Sequence, residues 1–258
     1  MALPANEVST LINGLGRYAG GPSSPLAIIN VEQGKRYRFR IIGMSCDPSF
    51  NFTIDGHLMT VIETDGIEIE PLVVDSIAVY AGQRYSVVVT ADQPVGNYWI
   101  RALPSEPGHT FDGGQNSAIL RYEGASEEEP TTGPGQYVLP YADSNAHPLI
   151  NPGAPGIPEP GKGDVNINLV PGLSPDTGLF MINNVSFSIP SLPVLLQILS
   201  GARHPSDLLP NGSVYVLPPN KVIEISMPAT QLSKNGAPGG PVSFPRLIST
   251  SCSQDFFG

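Results

Sequence analysis

An all-β fold is what this sequence predicts, and three observations predict it. Gly and Pro number 28 each among 258 residues, about a fifth of the chain, and helix interiors tolerate few of either. Short apolar stretches recur at close, fairly even spacing between turn residues, as in a β-sandwich or barrel. A single short stretch, residues 193–201, carries helix signals: Pro at its start and Gly just past its end.

The elements follow in order. Residues 1–24 read as an extended, turn-rich lead-in. Gly14-Leu15-Gly16-Arg17-Tyr18-Ala19 nominally fits a dinucleotide fingerprint. No strand precedes it, and Pro22 and Pro25 stand where a helix should begin, so a tight turn is expected instead. Strands are then predicted at Leu26–Val31, Arg36–Ile42, Asn51–Ile54, Thr60–Glu63, Ile67–Leu72, Ser76–Val79, Tyr85–Thr90, Asn97–Arg101 and Ser117–Tyr122. Asp55-Gly56 and Asp65-Gly66 are strong turn signals. Arg36, Arg38 and Arg40 alternate with Tyr37, Phe39 and Ile41, which puts three guanidinium groups on one face and apolar groups on the other. Those arginines are expected to pair with carboxylates on adjacent strands; a basic binding stripe is the alternative.

The texture changes at Glu127-Glu128-Glu129-Pro130. Residues 1–128 are therefore expected as one domain and 129–163, rich in Gly, Pro, Ser and Thr, as a linker or crossing loop. A second domain over 164–241 has strands at Val165–Val170, Leu179–Ile182 and Val222–Met227 and one helix at Pro193–Gly201. The helix is nearly apolar, which predicts burial. So few elements cannot close a sandwich, so this domain reads as incomplete. The incompleteness predicts the contrary outcome around Leu195–Leu199: an exposed apolar surface prone to non-specific self-association. Residues 242–258 form a tail without periodicity.

Charge and composition exclude some classes. The formal net charge is −10 with 14% charged residues, a surface that repels nucleic acid at long range. No apolar run approaches the roughly 18 residues of a membrane-spanning helix. The first seven residues lack the basic and apolar regions of a signal peptide, so the chain is expected to begin in the cytoplasm or within something longer. Cys46 and Cys252 are the two cysteines. A buried and an exposed thiol, a mutual disulfide, and two half-cystines with absent partners all remain open; a zinc site is not suggested.

Catalytic signatures are scarce. His57, His109, His147 and His204 show no H-x-H or H-x-x-x-H spacing and are expected in loops. There is no G-x-S-x-G elbow and no phosphate-cradling loop with a Lys. Asn51-Phe52-Thr53, Asn184-Val185-Ser186 and Asn211-Gly212-Ser213 are glycosylation candidates.

Several stretches carry a resemblance. They include Ser9-Thr10-Leu11-Ile12-Asn13-Gly14, Gly34-Lys35-Arg36-Tyr37-Arg38-Phe39-Arg40, Ser45-Cys46-Asp47-Pro48, Asp55-Gly56-His57, Gly82-Gln83-Arg84-Tyr85-Ser86, Asn97-Tyr98-Trp99-Ile100-Arg101 and Asn116-Ser117-Ala118-Ile119-Leu120-Arg121-Tyr122. Pro193 to Gly201, Asp207-Leu208-Leu209-Pro210 and Gly212-Ser213-Val214-Tyr215 continue them. Collinear from about residue 8 to Pro241, they resemble the fungal, basidiomycete-type laccases, which are secreted multicopper oxidases.

The resemblance implies cupredoxin-like Greek-key β-sandwiches, with residues 1–128 as the second domain of three and 129–241 as the connection and first part of the third. It implies a parent protein that is extracellular. The parent oxidises phenols and aromatic amines and reduces dioxygen to water through copper, which imidazole and thiolate ligands suit. The family's ligand motifs, H-W-H-G, H-S-H, H-P-F-H-L-H-G-H and H-C-H, are absent from this sequence. The chain is accordingly expected to bind no copper and to be inactive alone; a non-catalytic module for phenolics or glycans is the alternative. After Pro241 the sequence departs to Val242-Ser243-Phe244-Pro245-Arg246 where the family has its next histidine motif. A retained intron or a frameshift is the expected cause.

Pocket positions carry over. Asp47 matches the family's acidic residue at the mouth of the substrate site, where it accepts a hydrogen bond or proton; a turn-capping Asp before Pro48 is the alternative. Ser105 and Glu106 fall where the family often has Asn and Phe, and Leu173 and Phe180 match apolar walls. Cys46 matches a cysteine that bonds to the family's first domain.

Overall fold

The computed structural model describes residues 9–45, 49–105, 107–150, 153, 155–209, 212–227 and 248–249. Cys46, Asp47, Glu106, Asn211 and Cys252 lie outside the described residues. The chain divides into two compact units, residues 2–151 and 152–258.

Among the described residues the first unit has nine strands: β1 (Ile28–Val31), β2 (Arg36–Ile42), β3 (Phe50–Ile54), β4 (Met59–Thr64), β5 (Ile67–Val74), β6 (Ile77–Val79), β7 (Arg84–Thr90), β8 (Asn97–Pro104) and β9 (Ser117–Tyr122). They form a five-stranded sheet in the order β1-β9-β8-β3-β6 and a four-stranded sheet in the order β2-β7-β4-β5. The two sheets share one core. Val31, Ile54, Ile77, Ile100 and Leu120 come from the first sheet, and Met59, Val61, Val74, Val87 and Val89 from the second. Burial of these side chains, roughly 1.5–3 kcal/mol each, is the main force holding the sheets together.

Alternation works as expected in β2. Tyr37, Phe39 and Ile41 pack against the core, while Arg36, Arg38 and Arg40 are exposed. Arg38 meets a carboxylate, that of Glu63 on β4, and also donates to Ser86 Oγ at 3.0 Å. Asp65 and Gly66 join β4 to β5 with φ of 48° and 86°, the pair of left-handed residues that a two-residue hairpin needs. β1 and β9 pair in parallel, Ile28 opposite Ile119 and Val31 opposite Tyr122.

Residues 129–150 contain no long regular element, yet they strap onto this unit. Glu129 receives Arg17 at 2.7 Å, and the hydroxyls of Tyr137 and Thr53 lie 3.0 Å apart. Asp75 Oδ2 accepts the Val138 and Leu139 N–H groups at 2.5 and 2.7 Å. Farther on, Glu70 N–H donates to His147 O and Leu149 N–H to Glu68 O, both at 2.8 Å. The outer edge of β5 is thereby covered rather than left open to another chain.

The second unit has short elements: β10 (Val165–Asn168), β11 (Pro171–Leu173), β12 (Phe180–Ile182), β13 (Val185–Ser186), α1 (Val194–Leu199), α2 (Pro205–Leu208), β14 (Ile223–Ser226) and β15 (Ile248–Ser249). One small sheet runs β10-β14-β15 and another β11-β12-β13. β10 stops short of the expected Val170 because the Val170 N–H is taken by Asn183 Oδ1 at 2.9 Å. Where one helix was expected there are two, the second a single turn with Asp207 Oδ2 accepting the His204 N–H at 3.2 Å. Helix α1 forms where predicted but is not buried: Leu195 is 66% and Leu199 73% exposed. Among the described residues of this unit, Ile223 is the one buried hydrophobic side chain.

Candidate functional site

Of the sequence-derived pocket residues, Ser105, Leu173 and Phe180 are described, while Asp47 and Glu106 lie outside the described residues. Ser105 follows β8, and its N–H donates to Ser49 O at 2.8 Å, closing the end of the β3–β8 pair that begins with Phe50 opposite Pro104. In the second unit, Leu173 and Phe180 are direct cross-strand partners on β11 and β12. Leu173 is half-buried and Phe180 is 68% exposed. Paired strands bring such residues side by side on one face, so these two form a single apolar step.

The strongest polar constellation of the first unit was not anticipated from sequence. Arg101 on β8 donates from Nε to Asp55 Oδ1 at 2.8 Å and from NH2 to Asp55 Oδ2 at 2.7 Å. Both side chains are almost fully buried, at 3% and 2% exposure. Thr132 of the strap completes the shell: its hydroxyl donates to Asp55 Oδ2 at 2.7 Å and its carbonyl accepts from Arg101 at 3.0 Å. The guanidinium carbon sits 4.4 Å from the centre of the Phe111 ring, a favourable cation–π distance. An arginine inside the otherwise apolar run Trp99-Ile100-Arg101-Ala102-Leu103 was the available signal, because a buried guanidinium demands a carboxylate.

His57 lies in the loop between β3 and β4, as expected, and is buried there. Its Nδ1 is 2.7 Å from Asp55 O and its Nε2 is 2.6 Å from the Tyr122 hydroxyl. The carbonyl can only accept, so Nδ1 carries the proton and Nε2 accepts from Tyr122. The Tyr122 oxygen in turn accepts the Gln93 N–H at 3.1 Å. Tyr98 meets the imidazole edge-on at 5.0 Å between centroids. Burial pushes the His57 pKa below its ordinary value, outweighing the opposing effects of the Asp55 carbonyl and the Asp92 and Asp55 charges. The imidazole is therefore neutral, with both nitrogens engaged.

His109 is half-buried, and His147 and His204 are exposed. No group of three or more His, Cys, Asp or Glu among the described residues could hold a metal ion. With His57 locked by its two partners, the described donor set does not fit copper.

The family model described as multicopper oxidase matches residues 1–125. Laccase-2 of Pleurotus ostreatus is 58% identical over 243 residues, covering 94% of this chain and 44% of that protein. The chain belongs to the multicopper oxidase family. Laccase-4 of Trametes villosa is 57% identical over 237 residues, covering 92% of this chain and 45% of that protein. The chain thus spans less than half the length of these relatives. Among solved structures, Fet3p, a multicopper oxidase that functions in iron import, superposes with a TM-score of 0.58 at 23% identity, covering 80% of this chain and 40% of that one. The laccase from Botrytis aclada gives a TM-score of 0.50 at 24% identity, covering 76% and 38%. The all-β, cupredoxin-like architecture of multicopper oxidases is therefore the fold of this chain.

Proposed function

We propose that this chain is a laccase-type segment that shapes one side of a phenol-oxidising site and does not oxidise phenols by itself. The observation that carries this reading is the 58% identity to a laccase over 94% of the chain, in a sequence that holds none of the family's paired-histidine motifs. The parent activity is oxidation of phenols and aromatic amines with reduction of dioxygen to water, in an extracellular protein. Copper supplies the electron-accepting chemistry there.

The chain's own part is recognition. Asp47 accepts the proton or hydrogen bond of a phenol or arylamine. Leu173 and Phe180 offer apolar contact, and Ser105 and Glu106, standing where the family often has Asn and Phe, make the pocket more polar. In this reading residues 1–128 are the second cupredoxin-like domain, 129–163 the connection, 164–241 part of the third domain and 242–258 a divergent tail.

The test is to express the chain, add copper, and record metal content, blue absorption and phenol turnover. No stoichiometric copper and no turnover are expected. Copper binding with turnover would overturn the proposal. Saturable binding of a phenolic or a glycan without copper, lost in Asp47→Ala, would favour the non-catalytic module.

A further inference from the structure

One contact in the first unit joins a phenol to a base. The Tyr122 hydroxyl donates to His57 Nε2 at 2.6 Å, a short bond to the unprotonated nitrogen of a neutral imidazole. Tyr122 is 0% exposed. Tyr98 is half-buried on β8, and its ring centroid lies 5.4 Å from that of Tyr122 and 5.0 Å from that of His57.

Other phenols of the chain meet weaker partners. The Tyr98 and Tyr85 hydroxyls donate to the Pro94 carbonyl and the Gln83 amide oxygen, which are far poorer bases than imidazole. Tyr37 and Tyr215 accept N–H groups, and Tyr137 meets the Thr53 hydroxyl. Among the described tyrosines, Tyr122 alone is hydrogen-bonded to an imidazole.

We infer that Tyr122 and His57 form a one-electron redox site, with Tyr98 as its port, that reduces arylamine radical cations. One electron passes from Tyr122 through Tyr98 to the radical cation, which becomes the neutral arylamine. The phenolic O–H bond breaks as His57 Nε2 takes the proton, leaving a neutral phenoxyl radical beside an imidazolium. Ascorbate then returns one electron, becoming its own radical, and the proton goes back from Nε2 to the Tyr122 oxygen. Oxidising a phenol without moving its proton would leave a strongly acidic radical cation, and the bonded base removes that cost. The imidazolium is offset by the Asp55 carbonyl, 2.7 Å from Nδ1, and by the Asp92 and Asp55 charges. Trp99 is a poorer resting place for the hole, because the Arg101 guanidinium carbon lies 5.9 Å from its ring centroid and a cation opposes a positive charge there. Full burial keeps the Tyr122 radical from coupling with a second phenol. The site needs no copper, so its test is independent of the proposed function.

The experiment exposes the whole chain to the N,N-dimethylaniline radical cation, generated by a laser flash and followed by its absorption. Freeze-quenched samples are read by electron paramagnetic resonance. The protein should speed decay of the radical cation as a tyrosyl signal grows, and ascorbate should abolish that signal. Tyr122→Phe should remove it. His57→Phe should slow its growth at least about tenfold, because the hydrogen bond that carries the proton is gone. Both substitutions lie in the core, so the unsubstituted chain supplies a second reading. Growth should be slower in heavy water, and double resonance on protein labelled with heavy-nitrogen histidine should show an imidazole nitrogen coupled to the radical. No tyrosyl signal, a signal that survives Tyr122→Phe, growth that heavy water leaves unchanged, or a radical without imidazole coupling overturns the assignment.

Discussion

Asp55→Ala should cost the first unit a large part of its stability. The carboxylate accepts three charge-assisted or hydroxyl bonds, two from Arg101 and one from Thr132, all between 2.7 and 2.8 Å. Its removal strands a guanidinium that is 3% exposed, with the Thr132 carbonyl and the Phe111 and Trp99 rings left as partners. Breaking one side of such a buried pair costs about 3–5 kcal/mol. With a urea slope of about 2 kcal/mol/M, the midpoint should fall by roughly 1.5–2.5 M. The assay is built in, because Trp99, the only tryptophan, neighbours Arg101 on β8 and reports this unit. The double variant Asp55→Leu with Arg101→Met should recover most of the loss, since an apolar replacement of both partners is often neutral. A midpoint shift below about 0.5 M, or a double variant no better than the single one, would refute the reasoning.

Three further outcomes follow from the described geometry. The His57 pKa is depressed in the folded state, so below the unfolded value of about 6.5 the unfolded chain binds the extra proton and stability falls with pH. Urea midpoints should therefore be flat above that value and decline toward pH 5, and His57→Phe should remove His57's share of the decline. Asp75→Ala frees two N–H groups of the strap, so the Val138 and Leu139 amides should exchange with deuterium at least about tenfold faster, the unit losing about 1–3 kcal/mol. Leu199→Lys in α1 should change stability by less than about 0.5 kcal/mol, because the side chain is already in water, and should lower hydrophobic-dye binding. A cost near that of a core substitution would show that the helix is packed.

What could be read from the sequence was local. The alternation in Arg36–Ile42 located β2 and both its faces, and Asp65-Gly66 located a hairpin, because each signal depends on neighbouring residues alone. β1 begins at Ile28 rather than Leu26 because Leu26 turns to pack with Trp99 and Ile119, contacts that only folding supplies. The Asp55–Arg101 pair joins residues 46 positions apart, and the Leu173–Phe180 pairing depends on a strand register that the sequence does not display. Helix α1 shows the limit from the other side. Its composition states what its side chains favour, not whether a covering surface is at hand.

The parallel pairing of β1 with β9 has a consequence for synthesis. Ile28 finds its partner only when Ile119 exists, and the strap that fastens Asp55 and Asp75 comes later still. A ribosome making this chain therefore releases β1 through β8, with their Val and Ile runs, well before the sheet that shelters them can close. Non-local order of this kind slows folding and lengthens exposure to wrong partners. Chaperone capacity in the host, more than the strength of the finished core, should govern how much of this protein is recovered.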